Sequence, residues 1–181
     1  MALSKVDGTN LITGLPAGSV LQVVKTEFTG TESTTVLASG GNFADSSLTA
    51  TLTPSSTSNK IFVICTVNRG STNASDQCHV GRLAHVISAS TTAFYVGATD
   101  GSRIPTSFGR GNESAGAYTI LTNTIQTVFS PNTTSAVIVK YQFAARGTGA
   151  GTVYINRTSE DSDDTQAQRT ASSITLMEIA G

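Results

Sequence analysis

The sequence is poor in charge and contains no tryptophan. Charged side chains make up 13% of the 181 residues, and eleven Lys plus Arg against twelve Asp plus Glu leave a net charge of −1. Nucleic-acid modules normally carry a basic stripe and polybasic membrane binders a run of Lys and Arg, so this composition argues against both classes. Disordered chains combine high charge with few apolar residues, whereas 38% of this chain is apolar. We therefore expect a folded protein that binds no nucleic acid.

Long apolar runs are also missing. The first ten residues, MALSKVDGTN, lack the run of about 7–15 apolar residues that a signal peptide requires. No stretch approaches the roughly 20 apolar residues of a membrane helix. We expect a protein that is made in the cytoplasm without a signal peptide and that is not inserted into a membrane.

Cysteine is scarce, with only Cys65 and Cys78 in the chain. Disulfides are rare in cytosolic proteins, which favours two reduced thiols. A disulfide between these two residues is the alternative if their strands are neighbours.

Small hydroxyl side chains are abundant, since 51 of the 181 residues are Thr or Ser. Apolar and polar residues alternate in several short segments, most clearly over residues 60–68, 78–87, 136–145 and 172–179. Residues 60–68 are apolar on both faces, which predicts a strand covered on both sides. No segment shows a sustained helical period. About eight to ten short strands with turns between them predict an all-β fold, a single antiparallel, jelly-roll-like β-sandwich over residues 19–181.

Residues 1–18 differ from the rest of the chain. Their apolar residues are scattered among glycines at a spacing that fits neither a helix nor a strand. Such a segment cannot form a core alone, so it either stays loose or lies along a partner. We interpret residues 1–18 as an extended N-terminal attachment arm, with four candidate contact residues: Leu3, Val6, Leu11 and Ile12.

Residues 97–116 contain five glycines and one proline and have few apolar residues. This composition predicts a long loop, and loops longer than about 12–15 residues usually carry function or are mobile. The segment is the best candidate in the sequence for a recognition surface. Its candidate recognition residues are Arg103, Phe108, Arg110 and Asn112.

The sequence offers no catalytic motif. His79 and His85 are six residues apart, about 20 Å along a strand, so they cannot share a metal ion and are expected at the surface or at an interface. The acidic run over residues 160–164 is expected to be a solvated loop. Neutralisation by the nearby Arg157 and Arg169, or a bound cation, are the alternatives. Neither a nucleophile elbow nor a phosphate-binding loop is present. We predict no catalytic, cofactor-binding or metal-binding residues, and therefore no enzyme.

Three stretches of the sequence together resemble small virion proteins of tailed bacteriophages, especially the cyanophage or marine phage type. The first combines MALSKV at residues 1–6 with LPAGSVLQVV at residues 15–24. The second is LTPSSTSNKIFV at residues 52–63, and the third is RTASSITLMEI at residues 169–179. The resemblance covers both ends of the chain and one internal strand pair, and it carries over no functional residue.

The resemblance implies a non-enzymatic structural protein, a homotrimer located in the virion, whose arm docks on other phage virion proteins. Its role would be that of a tail-fibre-like appendage or receptor-binding component that contacts a host surface glycan or protein. A capsid decoration protein that clamps the head is the alternative within this class. A glycan-binding or glycan-cleaving module is the alternative from another class, and the acidic run at residues 160–164 motivates it.

Overall fold

The fold is an all-β sandwich. The computed structural model describes residues 15–71, 78–109, 116–146 and 151–181, and within these ranges it contains no α-helix. The described residues form eleven strands, and a short 3₁₀ turn at Ser39–Gly41 lies between the second and the third. The strands are β1 (Val20–Phe28), β2 (Glu32–Thr34), β3 (Ala44–Leu52), β4 (Lys60–Ser71), β5 (Cys78–Ile87), β6 (Ser90–Phe94), β7 (Phe108–Gly109), β8 (Leu121–Phe129), β9 (Val137–Arg146), β10 (Val153–Ile155) and β11 (Ser172–Ile179).

The strands form two antiparallel sheets. Sheet A has the order β1-β11-β4, with β8 on the other side of β4 and the short β10 and β2 completing it. Sheet B has the order β3-β9-β5-β6, and β7 also pairs with β5. The eight longer strands therefore make two sheets of four, β1-β11-β4-β8 and β3-β9-β5-β6, which is the arrangement of a jelly roll. The expected jelly-roll-like sandwich is confirmed.

The core lies between the two sheets. Strand β4 buries Ile61, Val63, Cys65 and Val67, and its alternate residues are only half-buried. Strand β11 shows the same period of two, because Ile174 and Leu176 are fully buried and their neighbours are not. This alternation is what a strand with one face on a core requires. The expectation that residues 60–68 are covered on both sides is not met within the described residues, because these form no layer over the face of sheet A that carries Phe62 and Ile64.

Sheet B differs from sheet A in that its outer face is partly covered. Ala38, Val80 and Ala144 form a small second cluster of buried residues, against which Phe43 and Ile104 pack. The cover comes from the segment before β3 and from the loop after β6. In the described residues, no helix is long and apolar enough to cross a membrane.

Most strand predictions are accurate. Strands β5 and β11 begin and end where the alternation predicts them. The short strand β2 at Glu32–Thr34 pairs with β10. The predicted loop over residues 97–116 contains β7, because Phe108 and Gly109 pair with Gly81 and Val80 of β5.

Candidate functional site

An apolar row crosses the outer face of sheet A. Val23 of β1 pairs with Met177 of β11, Met177 with Phe62 of β4, and Phe62 with Val128 of β8. Directly paired residues lie on the same side of a sheet, so these four side chains form one line from edge to edge. Val23 is 56% exposed and Val128 is 51% exposed. We call Val23, Met177, Phe62 and Val128 the apolar row.

Further apolar side chains extend the apolar row on both sides. Val20 pairs with Ile179, and Ile64 lies two residues from Phe62 on the same face of β4. Val20 is 50% exposed. The outer face of sheet A therefore carries a contiguous apolar area across four strands, which is unusual on the surface of a monomeric soluble protein.

The other end of this face is hydroxylated and nearly neutral. Thr66 and Thr124 lie opposite each other, with their hydroxyl oxygens 3.2 Å apart. Lys25 and Glu27 neutralise each other, since the Lys25 ammonium nitrogen lies 2.6 Å from a Glu27 carboxylate oxygen. The face thus has an apolar end and a hydroxyl end, with little unpaired charge between them.

The candidate recognition loop lies on the opposite side of the sandwich, over the outer face of sheet B. Its base is held by the Gly97 N–H, which donates to the Thr106 carbonyl at 3.2 Å, and by the Ser107 N–H, which donates to the Gly81 carbonyl at 2.9 Å. The Ser107 hydroxyl also accepts from the Leu83 N–H at 3.1 Å. These bonds attach residues 97–107 firmly to β5.

A pocket of about 340 Å³ lies under this loop. Arg103, predicted as a recognition residue, lines it and is exposed, with an ion pair to Asp100. Arg146, which the sequence analysis missed, lines it from the end of β9. No pattern in the sequence points to Arg146, because only the pairing of β9 with β5 brings it next to the loop.

Phe108, a predicted recognition residue, is half-buried. It lies in β7, packs against the main core, and its ring is stacked 6.0 Å from the His79 ring and 6.1 Å from the Tyr141 ring. An aromatic side chain next to a buried strand gains more from burial than from a place in the loop. Arg110 and Asn112, the other two candidates, lie outside the described residues.

The two histidines occupy different environments. His79 is fully buried, which contradicts the expected surface or interface position. Burial and the nearby positive charge of Arg69 lower the pKa of His79 to about 3, so this side chain is neutral at physiological pH. His85 is half-buried between the rings of Phe94 and Phe129. Both side chains serve packing and bring no reactive group to the surface.

A second buried polar group stabilises the end of the sandwich. Glu178 is 1% exposed, and its carboxylate accepts from the side-chain amides of Gln22 at 2.5 Å and Asn59 at 2.6 Å. The backbone N–H and the hydroxyl of Ser55 also donate to it, at 2.6 and 2.8 Å. Burial opposes ionisation, but these hydrogen bonds outweigh it and lower the pKa of Glu178. The carboxylate joins β1, β11 and the turn between β3 and β4.

One carboxylate of the acidic loop is paired within the chain. Asp161 lies 3.0 Å from the Arg169 guanidinium and 3.4 Å from that of Arg157. In the described part of the chain, no group of three or more His, Cys, Asp or Glu side chains is placed to hold a metal ion. Cys65 and Cys78 are free and buried, and they lie in different sheets.

The arm residues Leu3, Val6, Leu11 and Ile12 lie outside the described residues. The described chain begins at Leu15, and residues 18 and 19 already pair with the C-terminus. The Gly18 N–H donates to the Ala180 carbonyl at 2.8 Å, and the Ala180 N–H donates to the Ser19 carbonyl at 2.9 Å. The preceding segment thus enters the domain beside Val20 and Ile179, at the apolar end of the outer face of sheet A.

Comparison with known proteins gives a likeness of fold only. No family model matches the chain, and no curated protein matches it. Among solved structures, a chain in a structure of the infectious bursal disease virus Gx strain aligns over 88% of this chain with a TM-score of 0.43 and 12% identity. The present chain spans 37% of the length of that chain. At this identity and TM-score the likeness gives no information on function.

Proposed function

We propose that this chain is a non-enzymatic virion structural protein of a tailed bacteriophage, a tail-fibre-like appendage or receptor-binding component. It works by assembling and adhering, and it assembles with copies of itself as a homotrimer. The observation that carries the proposal is the apolar row, which places Val23, Met177, Phe62 and Val128 on a sheet face that the described residues leave open. The sequence resemblance supplies the setting in a phage particle.

The partner that covers the apolar row is a second copy of this chain. Burying exposed apolar area gains roughly 25 cal/mol per Å², and four adjacent side chains provide that gain in one place. The face presents little unpaired charge to a second copy, because Lys25 is already paired with Glu27 and most of the remaining neighbours are uncharged. Lys60, opposite Ile179 at the start of β4, is the charged side chain at its margin. Association also protects the free edges of β1 and β8, which border the face and would otherwise be open to unwanted pairing.

Assembly through sheet A leaves the loop over sheet B free, because the two outer faces point in opposite directions. The loop residues 97–107 then face away from the assembly, where they can contact a host surface glycan or protein. The arm, residues 1–18, leaves the domain beside the assembly face and anchors the protein to other virion proteins. Attachment and recognition then lie on opposite sides of the sandwich.

Sedimentation velocity tests the proposal. Val128→Asp introduces a charge in the apolar row, and a buried unpaired charge costs several kcal/mol, so the variant is expected to sediment as a monomer while the unchanged protein sediments as a trimer. Val36→Asp is the matched control, because Val36 is 37% exposed and lies outside the outer face of sheet A. A monomeric wild-type protein, or a Val128→Asp variant that remains trimeric, contradicts the proposal.

A capsid decoration role is the second candidate, because a protein that clamps capsid subunits also needs an open apolar face such as the outer face of sheet A. Both roles use the same assembly face, so the number of copies per particle separates them. A few to some tens of copies indicate the tail, and hundreds indicate the head. A glycan-cleaving module is the candidate from another class, and release of reducing sugar from host polysaccharide by the purified protein would establish it instead.

A further inference from the structure

The pocket under the recognition loop has an apolar floor that packing holds in place. Val80, on the outer face of β5, is only 6% exposed and belongs to the small cluster with Ala38 and Ala144. Ile104 of the loop packs against the same cluster and also lines the pocket. The floor therefore offers a fixed apolar surface on which the C–H face of a small ring can lie.

The rim of the pocket is polar and positively charged. Ser102 and Thr106 contribute hydroxyl groups, and Arg103 and Arg146 contribute guanidinium groups. Both arginines are exposed, one on the loop and the other at the end of β9. Arg103 is paired with Asp100, so one guanidinium is held near the pocket by the loop itself.

The shape and chemistry of the pocket select a class of ligand. Its volume of about 340 Å³ lies at the low end of the range for small-molecule sites, which suits one or two sugar rings. Among the described residues no aromatic side chain lines it, so these residues offer no surface for stacking a nucleobase. A bare inorganic anion makes no use of an apolar floor, whereas a sugar presents hydroxyls and C–H groups together.

We propose that this pocket binds a carboxylated sugar unit, of which a hexuronic acid is the simplest example. Its carboxylate pairs with Arg146 and Arg103, because guanidinium groups form charge-assisted hydrogen bonds with carboxylates. Its ring rests on Val80 and Ile104, and its hydroxyls contact Ser102 and Thr106. The inference rests on the proposed recognition role of the loop, which it narrows to an acidic glycan.

Nuclear magnetic resonance titration of the full chain tests the inference, with methyl glucuronide as the probe and methyl glucoside as its neutral counterpart. The glucuronide is expected to bind in the millimolar range and to shift the backbone amides of residues 80, 102–106 and 146. The glucoside is expected to bind at least about tenfold more weakly, since one charge-assisted hydrogen bond contributes about 1.5–3 kcal/mol. Arg146→Gln and Arg103→Gln are each expected to weaken glucuronide binding by a similar factor.

Arg169→Gln is the matched control, because Arg169 is an exposed arginine in the acidic loop, outside the pocket. It is expected to leave binding unchanged, and thermal unfolding of all three variants shows whether they fold. Equal binding of the two sugars, no binding of the glucuronide at tens of millimolar, or unchanged binding by Arg146→Gln would overturn the inference. These results do not depend on the oligomeric state. The sugar-binding inference can therefore be contradicted while the proposed assembly through sheet A is upheld, and the reverse.

Discussion

His79 and Tyr141 contact each other in the interior of the sandwich, where the His79 Nε2 atom lies 2.8 Å from the Tyr141 hydroxyl oxygen. Both side chains are fully buried. The rings of Phe108 and Phe143 stack around His79, at centroid distances of 6.0 and 5.5 Å. This hydrogen bond joins β5 to β9 inside an aromatic cluster, where the buried His79 ring is neutral.

The buried imidazole makes stability depend on pH. Because the pKa of His79 is lowered from 6.5 to about 3, the unfolded chain binds one more proton than the folded chain between these values. Stability is therefore expected to fall as the pH drops below about 6.5, by about 1.4 kcal/mol per pH unit until the folded pKa is reached. Urea unfolding of wild type and His79→Gln at pH 7 and pH 5 measures this.

The glutamine variant keeps a hydrogen-bonding group near Tyr141 but does not titrate. Its loss of stability between pH 7 and pH 5 is therefore expected to be smaller than that of wild type, by about the free energy that binding one proton to the unfolded chain contributes. His85→Gln is the control, since His85 is only half-buried and burial lowers its pKa less. Equal pH dependence in wild type and His79→Gln would show that His79 ionises freely.

The Glu178 carboxylate is expected to stabilise the fold at neutral pH. Its hydrogen bonds hold the pKa below 4.5, so the stabilisation is complete above that value and is lost as the pH falls through the lower, folded-state pKa. Glu178→Leu removes the acceptor of four hydrogen bonds from Ser55, Asn59 and Gln22 and is expected to cost about 3 kcal/mol. Urea denaturation at pH 7 measures the cost.

Glu178→Gln is the informative companion, because its amide oxygen can still accept from Ser55 and Asn59. It is expected to cost about 1 kcal/mol at pH 7 and to lose less stability than wild type between pH 5 and pH 3. If Glu178→Leu is as stable as wild type, the carboxylate does not hold β1, β11 and the turn together.

Gly81 is required where β5 passes the ring of Tyr141. A Cβ atom at this position would lie 2.1 Å from the Tyr141 hydroxyl oxygen and 2.6 Å from the ring carbon that carries it. The ring is fully buried and has no free space to move into, so Gly81→Ala is expected to destabilise the protein by about 1–3 kcal/mol or more. Gly97→Ala is the matched control, because a Cβ atom at Gly97 would meet no atom within 4 Å. Similar melting temperatures for the two variants would contradict this packing.

Removal of residues 1–14 tests the attachment arm. The truncation keeps the hydrogen bond between the Gly18 N–H and the Ala180 carbonyl, so the domain is expected to fold with a melting temperature within a few degrees of the full chain. The truncated protein is expected to be lost from purified particles, which quantitative mass spectrometry measures. A truncated chain that fails to fold shows that these residues belong to the core, and a chain that is incorporated normally shows that they do not attach it.

The sequence predicts the strands well because each strand faces one core, so apolar and polar residues alternate along it. Strand β11 shows this clearly, with Ile174 and Leu176 buried between half-buried neighbours. The packing of Phe108 could not be predicted from the sequence, because its segment is rich in glycine and a two-residue strand is too short to show a period. Its position depends on contact with His79 and Tyr141, which are distant in sequence.

The candidate surfaces were harder to predict than the strands. The apolar residues Phe62 and Ile64 are visible in the sequence, but they indicate a second covering layer as readily as an exposed face. Only the register between β1, β11, β4 and β8 shows that Val23, Met177 and Val128 continue the same line. In the same way, the pairing of Cys78 with Arg146 is needed to bring that arginine to the loop.

The central claim is that a second copy of this chain covers the outer face of sheet A. A map of the assembled protein from electron cryo-microscopy tests it most directly, at a resolution that shows side chains. The account predicts a neighbouring copy in contact with Phe62 and Val128, with the loop over residues 97–107 facing solvent. An assembly in which Phe62 and Val128 face open solvent would contradict it.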